Sequence, residues 1–543
     1  MKYYLFSIFV FFQILVVSQK KIKVSEKPKL VVGIVVDQMR FDYLSKFHKN
    51  FSSEGFKKLM HNGAFFKNHH ISYVPTVTAA GHASIYTGST PSSHGMIGNS
   101  WYDQNTGSKI YCVHNDRVKP VGTTSPAGRK SPVNLKVTTI TDQLKLATQG
   151  QSKVISIALK DRASILSGGH TADASYWFNP GNYGKWITSS YYLQDLPDWI
   201  HNFNKQSNIN SYLKEWKPFK NLDIYVNVKN DHESYERGFK GKIIADFPYK
   251  IDSLSKKNRF YNIIRTTPWG TTMTFDLAKE AIKNEFLGQD AIPDFLSISL
   301  SSTDYIGHNF GADSVEVEDA YLRLDNDLAD FLQYLNKKVG ENNYTLFLTS
   351  DHGAGANSAF LKTKKIPASY FKEASYRKAL SFAISKKFSV ENPIKAITNQ
   401  QVYLNVSTFE NRGIPLANVQ KFAANWLRKN PEIEQVFTKD QIENNEFKGG
   451  MISKVKNGYY SKRSGDIIYV LNTNSVAYAK TGSAHGSGYQ YDAHIPLFFY
   501  GLGITAAVHY ESTDITDIAT TLAYLLQIEA PNAATGTILP VHY

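Results

Sequence analysis

Three aspartates and three histidines stand where a folded chain could gather a metal site. Asp37 closes the apolar run Val31-Val-Gly-Ile-Val-Val36. Asp304 lies just past Phe295 to Leu300, and His308 follows four residues later. Asp351 and His352 come directly after Leu346-Phe-Leu-Thr-Ser350. His485 sits in Gly482-Ser-Ala-His-Gly-Ser-Gly488, shortly before another apolar run. Taken singly, an Asp at a strand end is a turn residue and a lone His a hydrogen-bonded one. Taken together, Asp-x-x-x-His, Asp-His-Gly and His-Gly near strand ends point to metal. Zinc accepts His nitrogen and carboxylate oxygen, usually with four ligands per ion. Six protein ligands, one shared nucleophile and substrate oxygens suit two zinc ions.

The nucleophile belongs to Pro75-Thr-Val-Thr-Ala-Ala-Gly-His-Ala-Ser-Ile-Tyr-Thr-Gly88. Small residues after Thr78 suit a helix start packed on a sheet. A hydroxyl there has the positive end of the helix dipole beside it, which favours an alkoxide and a bound phosphate. A neighbouring zinc ion would lower its pKa further. An ordinary N-cap would look the same, and spacing does not choose between Thr76 and Thr78.

These residues need elements to carry them. Leu30 to Val36, Val154 to Leu159, Phe295 to Leu300, Thr345 to Leu348 and Ile495 to Tyr500 read as buried parallel strands. Val317, Tyr321, Leu324, Leu328, Phe331, Leu332 and Leu335 share one helix face, as do Ile518, Leu522 and Leu525. Strands alternating with helices predict an α/β sandwich on a mostly parallel sheet. Ligands of such sheets bind at the carboxyl ends of the strands. Two stretches break the rhythm, near 169–267 and 356–480, and read as insertions into one catalytic domain over 19–543.

Composition bounds the rest. The chain has 543 residues and one cysteine, Cys112. That excludes an intrachain disulfide and a multi-cysteine zinc site. Lys2 followed by Tyr3 to Val17, apolar apart from Ser7 and Gln13, predicts a cleaved signal peptide over 1–18, and with it a periplasmic or secreted protein. No cysteine follows to carry a lipid, so no membrane anchor is expected. Net charge is +14, and losing Lys2 lowers it by one. The basic residues are scattered, with short clusters such as Lys362-Thr-Lys-Lys365. This fits attraction for anionic small molecules better than nucleic-acid binding.

Val77-Thr-Ala-Ala-Gly-His-Ala83, Leu159-Lys-Asp-Arg162, Ser302-Thr-Asp-Tyr-Ile-Gly-His308 and Ser350-Asp-His-Gly353 resemble motifs of the alkaline phosphatase superfamily. The likeness runs from Asp37 to the helix around Asp517 and is nearest to single-domain bacterial alkaline phosphatases of the PafA type. It implies an alkaline-phosphatase-like α/β/α sandwich with two Zn2+ per chain. It also implies Thr78 as nucleophile and as a ligand through its oxygen. Asp304, His308 and His485 would hold one zinc; Asp37, Asp351 and His352 would hold the other. Asn99, in Gly98-Asn-Ser-Trp-Tyr102, would donate its amide to a phosphoryl oxygen, and Lys160 and Arg162 would face the phosphate.

The expected protein is an exported monomeric phosphatase of small phosphate monoesters, working through a phosphothreonine. Lys160 and Arg162 carry the monoester part of that expectation. A monoester dianion rewards extra cations, and two residues apart on an extended segment these side chains would point the same way. A phosphodiesterase on the same zinc core is the first alternative. A non-catalytic exported zinc- or phosphate-binding protein is the second, disfavoured because ligands and nucleophile are all present. The sulfatase branch is set aside, since Thr-Ala-Ala-Gly-His is no formylglycine context.

Overall fold

The computed structural model describes residues 27–227, 231–476 and 480–542. The expected signal peptide lies outside the described residues. The frame is an eleven-stranded sheet. Its main strands are β1 (Leu30–Val36), β2 (Ala64–His70), β3 (Val154–Ala158), β4 (Ala174–Asn179), β5 (Lys185–Ser189), β6 (Asp294–Leu300), β7 (Tyr344–Thr349), β8 (His494–Gly501) and β9 (Ala507–His509). They run β9-β2-β8-β7-β1-β6-β3-β4-β5 across the sheet, with Pro120–Val121 beyond β5 and Thr513–Asp514 beside β2.

All seven residues of β1, β6 and the six of β7 are buried. They read as continuous apolar runs because helices cover both faces of the sheet. Alternate residues of β1 serve opposite cores. Leu30, Val32, Ile34 and Val36 pack with α3 (Trp269–Asn284) and α5 (Val315–Lys338). Val31 and Val35 join the core of α1 (Thr78–Thr87) and α6 (Asp517–Leu526). The apolar faces expected for α5 and α6 are the buried ones.

The strands β4, β3, β6, β1 and β7 are mutually parallel and end level with one another. Val35 pairs with Ser299 and Thr349, and Ala158 pairs with Ser299. Residues just past these ends therefore emerge on one rim.

The direction of β8 departs from the sequence expectation: it is antiparallel to both β7 and β2. The chain comes back from the insertion on the rim where the parallel strands end, so β8 starts there and runs the other way. This reversal matters. A residue preceding a parallel strand would lie at the far edge, whereas His485, preceding an antiparallel one, lies on the functional rim.

The stretch 169–267 opens with β4 and β5, which extend the main sheet, so irregular structure starts only after Ser189. Alternating contacts on both sides of Ala-Ser-Tyr-Trp-Phe-Asn bury this aromatic-rich strand. The stretch 356–480 holds its own four-stranded sheet, ordered 394–398, 401–404, 467–471 and 433–438, with a separate apolar core. It packs on the loop carrying Asn99: Asn399 Nδ2 donates to Ser100 O at 2.7 Å, and the Arg463 guanidinium lies 4.5 Å from the Trp101 ring centre.

Candidate active site

Each residue singled out for chemistry lands on this rim. Asp37 leaves β1, and Asp351 and His352 leave β7. Asp304 and His308 lie one turn apart on α4 (Ser302–Phe310). Helix α1 begins at Thr78 and is buried throughout. It lies this close because Gly81 has no side chain: a Cβ there would meet Asp351 O at 2.3 Å.

The acids converge. Asp304 Oδ1 lies 3.1 Å from His308 Nε2 and 3.5 Å from His485 Nε2. His352 Nε2 lies 3.6 Å from Asp37 Oδ1 and 3.5 Å from Asp351 Oδ2. The His352 and His485 rings stack, with centres 3.7 Å apart. Asp37, Asp351 and His352 have ligand atoms all within 4.8 Å of one another, and so do Asp304, His352 and His485. The second trio differs from the set implied by resemblance, which has His308 in place of His352. The distances around Asp304 bring His308 to the same carboxylate all the same.

The donors gathered here are imidazole nitrogens and carboxylate oxygens. Each histidine commits its Nδ1–H to a backbone carbonyl: His308 to Ser483 O (2.8 Å), His352 to Gly353 O (3.0 Å) and His485 to Thr76 O (2.8 Å). A carbonyl only accepts, so at His352 and His485 Nε2 is left as the lone pair, the usual arrangement for a metal-ligating imidazole, while His308 Nε2 lies on Asp304 Oδ1 at 3.1 Å, and that carboxylate outweighs burial to hold its pKa above the ordinary value. Burial pushes His485 down to about 3 and holds His352 well below its ordinary value, so both rings are neutral and able to ligate. His352 Nε2 and Asp351 Oδ2 are buried and make no hydrogen bond. Burial, then the charge of Asp351, pushes Asp37 up to about 8, and burial pushes Asp351 up to about 7. The site is short of positive charge by its own side chains. Two divalent cations with nitrogen and oxygen preferences fit it.

Thr76 and Thr78 part company here. The Thr76 hydroxyl donates to Ser487 O at 2.8 Å. Thr78 Oγ1 accepts from Lys160 Nζ at 3.3 Å and from Arg162 Nη2 at 3.4 Å. Lys160 also contacts one acid of each implied zinc set, Asp37 Oδ2 at 2.7 Å and Asp304 Oδ2 at 2.5 Å. Burial alone would lower its pKa, but Asp304 and Asp37 keep it raised and the ammonium charged. The route by which Lys160 and Arg162 point together is not the extended segment expected. β3 ends at Ala158, Lys160 is the N-cap of α2 (Asp161–Gly168), and Arg162 is in its first turn. Asn99 Oδ1 accepts from Ala79 N at 2.9 Å, which orients the carboxamide at the start of α1.

Three neighbours escaped the sequence reading. Gln38 has a left-handed backbone, φ 66°. That turn lets its N–H donate to Asp351 Oδ1 (3.2 Å) while its Nε2 donates to Asp304 Oδ1 (2.6 Å). One residue thus spans both ligand sets, and Gly307 leaves room for it, since a Cβ there would meet Gln38 Oε1 at 1.9 Å. Tyr111 and Asp161 hold Arg162: the Tyr111 hydroxyl donates to Asp161 Oδ1 and accepts from Arg162 Nη1 at 3.3 Å. Only Asp161 had a signal, its place between Lys160 and Arg162. Gln38→Ala is expected to weaken zinc binding about 10–100-fold, in line with other partners of ligating groups. Zinc competition with a chromophoric chelator would measure it; unchanged affinity would remove Gln38 from the site.

Five further histidines lie outside both groups, though His82 Nδ1 comes within 3.3 Å of Asp351 Oδ2. His82 Nδ1–H donates to Thr78 O (2.9 Å), and its Nε2 meets Ser299 Oγ at 2.9 Å. His94 meets Ser84 Oγ at 3.0 Å, His69 meets Thr513 Oγ1 at 2.9 Å, and His494 donates to Lys67 O at 2.9 Å. His70 stacks on His494.

Comparison with known proteins bears on this geometry. A family model for type I phosphodiesterase / nucleotide pyrophosphatase matches residues 31–494. The chain is 45% identical over 532 residues to a protein of Myroides odoratus named calcium-transporting ATPase, covering 97% of this chain and 96% of that one. It is 43% identical over 514 residues to alkaline phosphatase PafA of Elizabethkingia meningoseptica, covering 94% and 93%. The crystal structure of wild-type PafA superposes with a TM-score of 0.91 at 42% identity, covering 94% of this chain and 98% of that chain. On this evidence the chain belongs to the type I phosphodiesterase / nucleotide pyrophosphatase family of the alkaline phosphatase superfamily, on its PafA-type branch.

Proposed function

We propose that this protein is a zinc-dependent alkaline phosphatase that hydrolyses phosphate monoesters through a phosphothreonine at Thr78. The observation that carries the reading is Thr78 Oγ1 at the start of a helix, flanked by Lys160 Nζ and Arg162 Nη2. Those two cations and the Asn99 amide suit the three non-bridging oxygens of a phosphoryl group.

Asp304, His308 and His485 would hold one Zn2+, and Asp37, Asp351 and His352 the other. Bound zinc supplies Lewis acidity to the attacking and leaving oxygens of an in-line displacement. The residues of the chain do the rest. Thr78 gives up its proton to solvent and attacks phosphorus, and the bond to the leaving oxygen breaks. Lys160 and Arg162 stabilise the negative charge on the threonine oxygen before attack and on the phosphoryl oxygens during it. Water then attacks from the vacated side, releasing phosphate and restoring Thr78. Removing metal with a chelator is expected to bring turnover to background, and zinc to restore it. Full activity in protein stripped of metal, checked by elemental analysis, would defeat the reading.

The family description favours a second reading, diester hydrolysis on the same core. Lys160 and Arg162 weigh against it, because a diester carries one negative charge fewer and an extra group where Arg162 reaches. The ATPase name of the Myroides relative fits the first reading, since cleavage of the terminal phosphate of ATP is monoester-like chemistry. Among the described residues no helix is long and apolar enough to cross a membrane. Export rests on the Lys2 to Val17 stretch, and intact mass of the mature protein would test cleavage after Ser18. A monomer is the simplest state for a site built from one chain.

A further inference from the structure

Thr78 is carried by α1, and Lys160 and Arg162 by the start of α2. Asn99 lies between elements, after the loop Met96 to Gly98 and before the short strand Ser100–Asp103. Its Oδ1 is taken by Ala79 N, so the amide nitrogen is the end left for a phosphoryl oxygen. Such a donor works only as well as its segment is held, since misplacement by about 1 Å costs on the order of 10^2-fold. Much of what holds this segment comes from the inserted stretch 356–480.

Arg463 reaches the segment by three routes. Its Nη1 donates to Gly95 O at 2.5 Å, four residues before Asn99. Its guanidinium lies 4.5 Å from the ring centre of Trp101, two residues after Asn99. The third route is a chain of hydrogen bonds. Arg463 Nη2 donates to Asn134 O at 3.0 Å, Asn134 Nδ2 donates to Cys112 O at 3.1 Å, and Cys112 N donates to Asn99 O at 3.1 Å. One planar fork can serve two carbonyls and stack on an indole at once, which an ammonium cannot. Gly95 makes room for it, since a Cβ there would meet Arg463 Nη1 at 2.8 Å. Arg463 is itself anchored to the inserted sheet: its carbonyl accepts from the hydroxyl of Tyr403, on strand 401–404, at 3.0 Å.

Asn399 supports the same segment from the tip of a hairpin. Thr398 pairs with Gln401, and the two residues between them are both left-handed, Asn399 at φ 53° and Gln400 at φ 59°. That tight turn delivers Asn399 Nδ2 to Ser100 O. Gly98 is bare at the contact, since a Cβ there would meet Asn399 Nδ2 at 2.4 Å.

We propose that Arg463 is a positioning residue for Asn99, through which the inserted stretch seats that amide against the transferred phosphoryl group. The inference rests on the phosphate contact proposed for Asn99. It gives the separate core of 356–480 a part in the chemistry without any of its side chains touching substrate.

The test measures kcat and KM for 4-nitrophenyl phosphate in full-length, zinc-loaded protein carrying Arg463→Ala, Asn99→Ala or both, with zinc content determined alongside. Arg463→Ala is expected to lower kcat/KM about 10–100-fold with zinc unchanged, less than the roughly 10^2–10^3 that a whole oxyanion donor is worth. In the Asn99→Ala background the same substitution should cost less than about threefold, because the amide it places is gone. Should Arg463→Ala fold poorly, Arg463→Lys keeps the stem and the charge but loses the fork, and a loss that vanishes in the same background is expected. An undiminished rate in the folded variant would overturn the inference. So would a loss of equal size in both backgrounds, the mark of a general structural role. Asn99→Ala at the full rate would show instead that Asn99 makes no phosphate contact; that failure belongs to the proposed function, and the inference falls with it.

Discussion

Replacing Thr78 with alanine is expected to lower kcat for a phosphate monoester on the order of 10^4–10^6-fold, as removal of a catalytic nucleophile does, with both zinc ions still bound. The substitution removes the one oxygen that accepts from Lys160 and Arg162 and little else. None of the three histidine orientations depends on it: their Nδ1–H groups are held by Ser483, Gly353 and Thr76 carbonyls. Helix α1 should survive as well, since alanine is the best helix former and Ala79 N remains on Asn99. Turnover and metal content must therefore separate. Thr78→Ser should keep substantial activity, because it keeps the hydroxyl. An undiminished rate in Thr78→Ala would remove Thr78 from the chemistry and return attention to Thr76.

Substituting Lys160 and Arg162 together with alanine should cost monoester hydrolysis on the order of 10^3–10^5-fold, and diester hydrolysis about tenfold or less. Loss of one preorganised donor to a developing oxyanion typically costs about 10^2–10^3, and two that act on the same group do not simply multiply. The asymmetry between substrates follows from charge. A monoester presents oxygens for both cations; a diester has given one to its second ester group. The comparison has to be made in zinc-loaded protein. Without metal, Lys160 is the counter-charge of Asp37 and Asp304, and leaving buried acids uncompensated costs about 3–5 kcal/mol. Equal losses on both substrates would show that the pair supports catalysis without setting specificity.

The sequence is readable where burial is complete. β1, β6 and β7 show as unbroken apolar runs because both faces of the sheet are covered, and α5 shows its 3.6-residue period because one face is. Direction is another matter. Nothing in Ile495 to Tyr500 tells a parallel strand from an antiparallel one, since both kinds are equally apolar at a sheet centre. β4 and β5 were hidden by Tyr, Trp, Asn and Lys, whose mixture looks like surface until the partners are known. The candidate ligands are readable because Asp and His just past apolar runs are uncommon in combination. Gln38 was not: its two contacts reach 266 and 313 positions along the chain, and they depend on a left-handed turn that no neighbouring residue announces. Lys160 and Arg162 were recognised as a pair, yet the reason they converge is a strand-to-helix turn, not the two-residue repeat of an extended chain.

Monoester preference is what separates this site from a diesterase on the same core. Its most direct test is kcat/KM for 4-nitrophenyl phosphate against bis(4-nitrophenyl) phosphate, on one preparation shown by elemental analysis to hold two zinc ions per chain. The monoester is expected to be preferred by at least about 10^3-fold, the scale of a cation matched to transition-state charge. A diester hydrolysed as well as or better than the monoester would contradict it.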